Sequence, residues 1–159
     1  MLEIGDEAPD FTLPDERGEA VSLSDLLSAG PAVLYFYPAD FTPVCTAEAC
    51  TFRDMHPQLA AAGLRLAGVS PQGQNSHVRF KRKHELPFAL LSDPDKRVIT
   101  RYGANGPLGL GTRRVTYLIS PGGRIEARVR ADLSAARHRA FVEHAMASVR
   151  QNRPESRTA

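Results

Sequence analysis

The stretch that most constrains this chain is Ala32-Val-Leu-Tyr-Phe-Tyr37, an uninterrupted apolar run held between Pro31 and Pro38. It shows no alternation of polar and apolar residues, so it reads as a buried strand rather than a half-wet one. It is the longest such run in the chain and far short of the roughly 20 residues that cross a bilayer. Around it, apolar runs alternate with helix-like stretches separated by turn residues, the pattern of an α/β sandwich around a central sheet. The 159 residues suit one domain with one core. A chain that is 42% hydrophobic and 24% charged, with dispersed Gly and Pro and no visible repeat, is excluded from the disordered, collagen-like and coiled-coil classes.

After the buried strand, Thr42-Pro43 reads as a helix start, with Thr42 as N-cap and Pro43 at the first helical position. Gly63 is the stop, and Pro57 is expected to kink or divide the helix because it removes a backbone donor. Residues 64–70 form a second strand, 76–85 a polar helix, 88–91 a short strand ending at Ser92-Asp93-Pro94, and 95–102 a short helix. A Gly-rich loop, expected to be mobile, covers 103–111. Residues 115–120 and 124–130 flank Pro121-Gly122-Gly123 and so form an antiparallel hairpin. From Ser134, a final helix presents Phe141, Val142, Ala145, Met146 and Val149 at helical spacing. Before Gly30, short strands are expected at 20–23 and 11–13. The domain is expected over residues 1–150, with 151–159 as a frayed tail.

The net charge of +2 is spread among acids, so no nucleic-acid footprint is indicated. The start Met1-Leu-Glu-Ile-Gly-Asp-Glu7 has neither a basic nor an apolar leader segment, so a cytosolic, reducing compartment and no membrane contact are expected. In that setting the two cysteines, Cys45 and Cys50, are not a disulfide scaffold; they are catalytic, metal-binding or simply buried. Structural zinc needs about four ligands, and the spacing offers no second pair. The five histidines, His56, His77, His84, His138 and His144, each lie in a polar stretch, and solvated surface is the expectation for all of them. Cys45 stands three residues after the N-cap, in a first turn that follows a buried strand. Unpaired N–H groups and the positive end of the helix dipole favour the thiolate there, and the thiolate is the nucleophile of cysteine chemistry.

The segment Tyr35-Phe-Tyr-Pro-Ala-Asp-Phe-Thr-Pro-Val-Cys45-Thr-Ala-Glu-Ala-Cys50-Thr-Phe-Arg-Asp54 resembles the active-site segment of the peroxiredoxins. The PxxxTxxC pattern is carried by Pro38, Thr42 and Cys45, and the second Cys five residues on is similar to the bacterioferritin comigratory protein, or peroxiredoxin Q, branch. Gly68-Val69-Ser70, residues 86–93, Arg114-Val-Thr-Tyr-Leu-Ile119 and residues 121–125 fall in the same order as in that branch. The likeness runs from Gly5 to about Val149. The 103–111 connection departs from it, being shorter than usual and without aromatic residues, as do Phe41 and Val44, which replace smaller or more polar residues.

The resemblance implies a thioredoxin-like fold, a central mixed sheet flanked by helices, and a thiol peroxidase with no metal, haem or flavin. Cys45 would be the peroxidatic nucleophile, oxidised to a sulfenic acid. Thr42 and Arg114 would hold the peroxide oxygens, Pro38 would shield the sulfur from water, and Glu48 would orient the Arg by charge pairing. Cys50 would resolve the sulfenic acid as an intramolecular disulfide, recycled by thioredoxin or a similar dithiol. The expected state is a monomer, with a dimer as the alternative. On a regular helix, five residues of rise separate the cysteines by roughly 7.5 Å along the axis, beyond the usual disulfide Cα spacing. Oxidation is therefore expected to unwind residues 42–51. Competing readings are a thiol-disulfide oxidoreductase, which would normally carry a CxxC motif absent here, and a non-catalytic thioredoxin-like binding or holdase module.

Overall fold

The computed structural model describes residues 1–152. The elements, in chain order, are β1 (Thr12–Pro14), β2 (Ala20–Ser22), α1 (Leu23–Leu27), β3 (Ala32–Phe36), α2 (Pro43–Ala61), β4 (Arg65–Ser70), α3 (Gln74–His84), β5 (Ala89–Ser92), α4 (Arg97–Arg101), β6 (Val115–Ile119), β7 (Ile125–Arg130) and α5 (Ala135–Gln151). The buried run becomes β3, the middle strand of a five-stranded sheet ordered β5-β4-β3-β6-β7. It pairs in parallel with β4 and antiparallel with β6, so the sheet is mixed. All five residues of β3 are buried, because helices cover both faces of the sheet. The α/β expectation holds.

Pleating sends successive β3 side chains to opposite faces. Val33 and Tyr35 join Leu66, Leu90 and Leu118 beneath α2, α3 and α5, against Phe52, Leu59, Phe80 and Val142. Leu34 and Phe36 join Val69, Leu91 and Tyr117 on the other side, under Leu23 and Leu26 of α1 and Val98 and Ile99 of α4. Residues 1–30 also hold a small β1-β2 ladder beside this second core.

Three elements differ from their sequence-based outlines. Helix α2 runs unbroken through Pro57. The proline is exposed near the helix end, while Met55 and Leu59 on either side are anchored in the core, so packing carries the helix past the missing donor. The expected strand at 20–23 gives way at Leu23 to α1, which begins with a reciprocal cap: Ser22 Oγ accepts from Asp25 N, and Asp25 Oδ2 accepts from Ser22 N. Helix α5 extends to Gln151, so the start of the expected tail is helical, and residues 153–159 lie outside the described residues.

Candidate active site

The site forms where β3 ends and α2 begins, and its geometry follows from that junction. Phe41, between them, takes a left-handed conformation with φ of 65°, which turns the chain sharply into Thr42. Thr42 occupies the N-cap position with extended backbone and Pro43 follows it, but its hydroxyl does not cap; Oγ1 donates back to Ala39 O at 3.2 Å. Cys45 then points inward from the first turn and is only 2% exposed.

Arg114, at the entry to the adjacent strand β6, reaches this sulfur: its Nη1 donates to Cys45 Sγ at 2.7 Å. The guanidinium is itself held in place. Nε donates to Asp132 O at 2.8 Å, and the Arg114 backbone N–H donates to Asp132 Oδ1 at 3.0 Å. A short, charge-assisted donor on a buried sulfur is placed to stabilise negative charge that develops there.

Glu48 lies 3.6 Å from Arg114 Nη1, where the charge-pairing expectation needs it. Its carboxyl is fully buried, however, and neither oxygen accepts a hydrogen bond. Burial pushes the acid up to about 8 against the pull of Arg114, so near neutrality it is mostly protonated. The pairing distance is present while the carboxylate charge is largely withheld, which leaves the Arg114 charge directed at Cys45.

Pro38 is half-buried and, with Arg113, Arg114 and Asp132, lines a cleft of about 340 Å³ that continues along Gly106, Pro107 and Leu110. The Gly-rich loop forming that wall is closed on itself. Asn105 and Thr112 form a bridge, Gly106 N donates to Gly111 O at 3.1 Å, and Lys96 Nζ donates to Gly109 O at 3.1 Å. Cys50 lies on the same helix as Cys45, half-buried, with its sulfur 3.8 Å from His84 Nδ1. Both thiols are free.

Two buried histidines correct the expectation of five solvated ones. His138 donates from Nε2 to Ala131 O at 3.1 Å and accepts at Nδ1 from Thr116 Oγ1 at 2.7 Å, with Glu48 Oε1 at 3.5 Å. Burial lowers its pKa, consistent with a neutral ring. His138 precedes Val142 and Ala145 by four and seven residues, so its place on the apolar face of α5 was a readable signal. His77 pairs with Asp40, Nδ1 to Oδ2 at 2.7 Å, both side chains fully buried. Asp40 also accepts from the hydroxyls of Tyr37 and Ser76, each at 2.7 Å. Burial alone would raise Asp40, but the hydrogen bond and charge of His77, aided by both hydroxyls, bring it below the ordinary carboxylate value. This network pins the turn between Pro38 and Thr42 to α3.

Residues 4–128 match the model of the AhpC/TSA family. The chain belongs to that family. Among its relatives, a putative peroxiredoxin Bcp of Coxiella burnetii is 46% identical over 79% of this chain and 87% of its own length. Peroxiredoxin Bcp of Bacillus subtilis is 43% identical over 78% of this chain and 82% of its own. The crystal structure of peroxidoxin BcpB from Mycobacterium tuberculosis superposes with a TM-score of 0.87 at 34% identity, covering 97% of this chain and all of that one. The bacterioferritin comigratory protein of Xanthomonas campestris, studied for alkyl peroxide reduction, superposes with a TM-score of 0.82 at 30% identity, covering 93% of this chain and 97% of that one. This AhpC/TSA member is therefore a peroxiredoxin of the Bcp, or peroxiredoxin Q, branch, with the thioredoxin fold.

Proposed function

We propose a division of labour within this peroxiredoxin, a thiol peroxidase that reduces hydroperoxides and is itself re-reduced by a thioredoxin-type dithiol. Cys45 attacks the terminal oxygen of ROOH. The S–O bond forms, the O–O bond breaks, and the departing alkoxide takes a proton to leave as ROH. Arg114 and Thr42 stabilise the charge that develops on the peroxide oxygens, and Pro38 keeps bulk water from the sulfur. Glu48 packs beside Arg114 as a mostly neutral neighbour, so it positions the guanidinium without drawing its charge from the thiolate. The observation that carries this reading is the 2.7 Å contact from Arg114 Nη1 to a buried sulfur at a helix start.

Cys50 resolves the sulfenic acid at Cys45. The helix that carries both cysteines keeps them roughly 7.5 Å apart along its axis, so residues 42–51 unwind for the bond to form. Unwinding brings the disulfide to the surface, where a dithiol reaches it. Among the described residues no helix is long and apolar enough to cross a membrane, and we place the enzyme in the cytoplasm, as a monomer or else a dimer.

Rapid mixing of the reduced protein with hydrogen peroxide, followed by peptide mapping, tests the reading. The expected result is a peroxide reaction far faster than that of a free thiol, lost in Cys45→Ser, with the Cys45–Cys50 disulfide lost in Cys50→Ser. A rate no greater than that of a free thiol would remove the peroxidase.

A further inference from the structure

Cys50 has a neighbour that the mechanism above leaves unused. His84, the last residue of α3, holds Nδ1 3.8 Å from Cys50 Sγ, within reach of an S–H donor. His84 is held at its ring and at its backbone. It packs edge-on against Phe80 with centroids 5.1 Å apart, and Phe80 packs in turn against Phe41 at 5.2 Å. Arg53, one turn beyond Cys50 on α2, donates from Nη1 to the His84 carbonyl at 2.9 Å. The contact therefore ties the C-terminal end of α3 to the part of α2 that carries the second cysteine.

We propose that His84 is a further catalytic residue, the base that takes the thiol proton of Cys50 for the second half of the reaction. The proposal rests on Cys50 being the resolving thiol. The step balances without another reagent: Cys50 S–H gives its proton to Nδ1, and the sulfur lone pair attacks the sulfur of the Cys45 sulfenic acid. The S–S bond forms, the S–O bond breaks, and the hydroxide takes a proton from solvent and leaves as water, while the imidazolium, left behind on α3, gives its proton back to solvent. Cys50 is oxidised and the Cys45 sulfenic acid is reduced to the disulfide level.

The surroundings suit a base. Burial, with the charges of Lys83 and Arg53, lowers the pKa of His84, so the ring is neutral and its lone pair is available near neutrality. The other charged groups around the contact are Asp54, paired with Arg53 on α2, and Glu85, which follows His84. Proton transfer precedes unwinding, because the sulfur and the ring touch only while α2 is folded.

The test separates the two half-reactions by rapid quench and mass spectrometry, following first the Cys45 sulfenic acid and then the disulfide. His84→Phe keeps a ring against Phe80 and removes the base. General-base contributions of about 10²–10⁴ set the scale, and at least a tenfold slowing of disulfide formation near neutral pH is expected. In His84→Ala, where the place of the ring is open, added imidazole restores the rate, and in every variant the histidine titration disappears from the pH profile of this step. His84→Asn carries the same expectation if the phenylalanine variant does not fold. Disulfide formation at the wild-type rate and pH profile in any folded variant, or slowing in His84→Ala that imidazole does not rescue, would overturn the assignment. Absence of the disulfide in the wild-type protein would instead overturn the resolving role of Cys50, and this proposal with it.

Discussion

Cys45 and Cys50 share one helix, five residues apart, yet their surroundings differ in nearly every respect that matters to sulfur chemistry. Cys45 is sealed under the first turn of α2, next to a guanidinium fixed by Asp132 and a neutral buried acid. Cys50 is half-buried at the seam with α3, beside an imidazole and within the field of Arg53. The first is preorganised, so charge can develop on it without rearrangement. The second is held at a rim from which it can be released. One helix can serve both needs because its N-terminal turn faces the core crevice while the following turn meets the edge of α3.

The largest break in this comparison comes from Cys45→Ser, expected to abolish rapid peroxide consumption in a stopped-flow assay. Next is Arg114→Ala. Removing a charge-stabilising donor of this kind costs on the order of 10²–10³ in the rate of peroxide reduction. A peroxide rate equal to that of the wild type would refute the role given to Arg114.

Glu48→Gln sharpens the same point with a smaller effect. Because the acid is mostly protonated near neutrality, the amide is a near-isostere, and peroxide reduction near pH 7 should fall less than about tenfold, in contrast to the loss at Arg114. Its clearer signature lies in stability. The folded state holds the proton up to about pH 8 while the unfolded chain releases it near 4.5, so the contribution of Glu48 to stability falls as pH rises through that window and is flat above it. Urea melts across the window should show this slope in the wild type and its loss in Glu48→Gln.

How much of this was legible beforehand depended on whether the signal was local. The apolar run of β3, the Pro-Gly-Gly hairpin and the Thr42-Pro43 helix start each lie within a few residues of sequence, and each appears near its expected bounds. Cys45 and Arg114 were singled out by motif, and their contact bridges 69 positions. His77 was not legible because a polar window says little about a residue whose partner, Asp40, is remote, whereas the burial of His138 could be read from helical spacing although its partners Thr116 and the Ala131 carbonyl could not. Pro57 was half-legible for the same reason, since local backbone chemistry predicted a kink or a division and the packing of Met55 and Leu59 carries the helix through undivided. The protonation of Glu48 was hidden too. A glutamate one turn from a cysteine suggests a charge partner, and only its complete burial makes it mostly a neutral one.

The account depends most on α2 holding the cysteines apart until oxidation opens it, and amide hydrogen exchange tests that directly. The reduced and disulfide forms would be compared peptide by peptide, with mass mapping confirming that the Cys45–Cys50 bond is present. The expected result is a loss of protection confined to residues 42–51, while β3, β4 and β6 exchange alike in both forms. Equal protection across 42–51 in a sample shown to carry the disulfide would contradict the account.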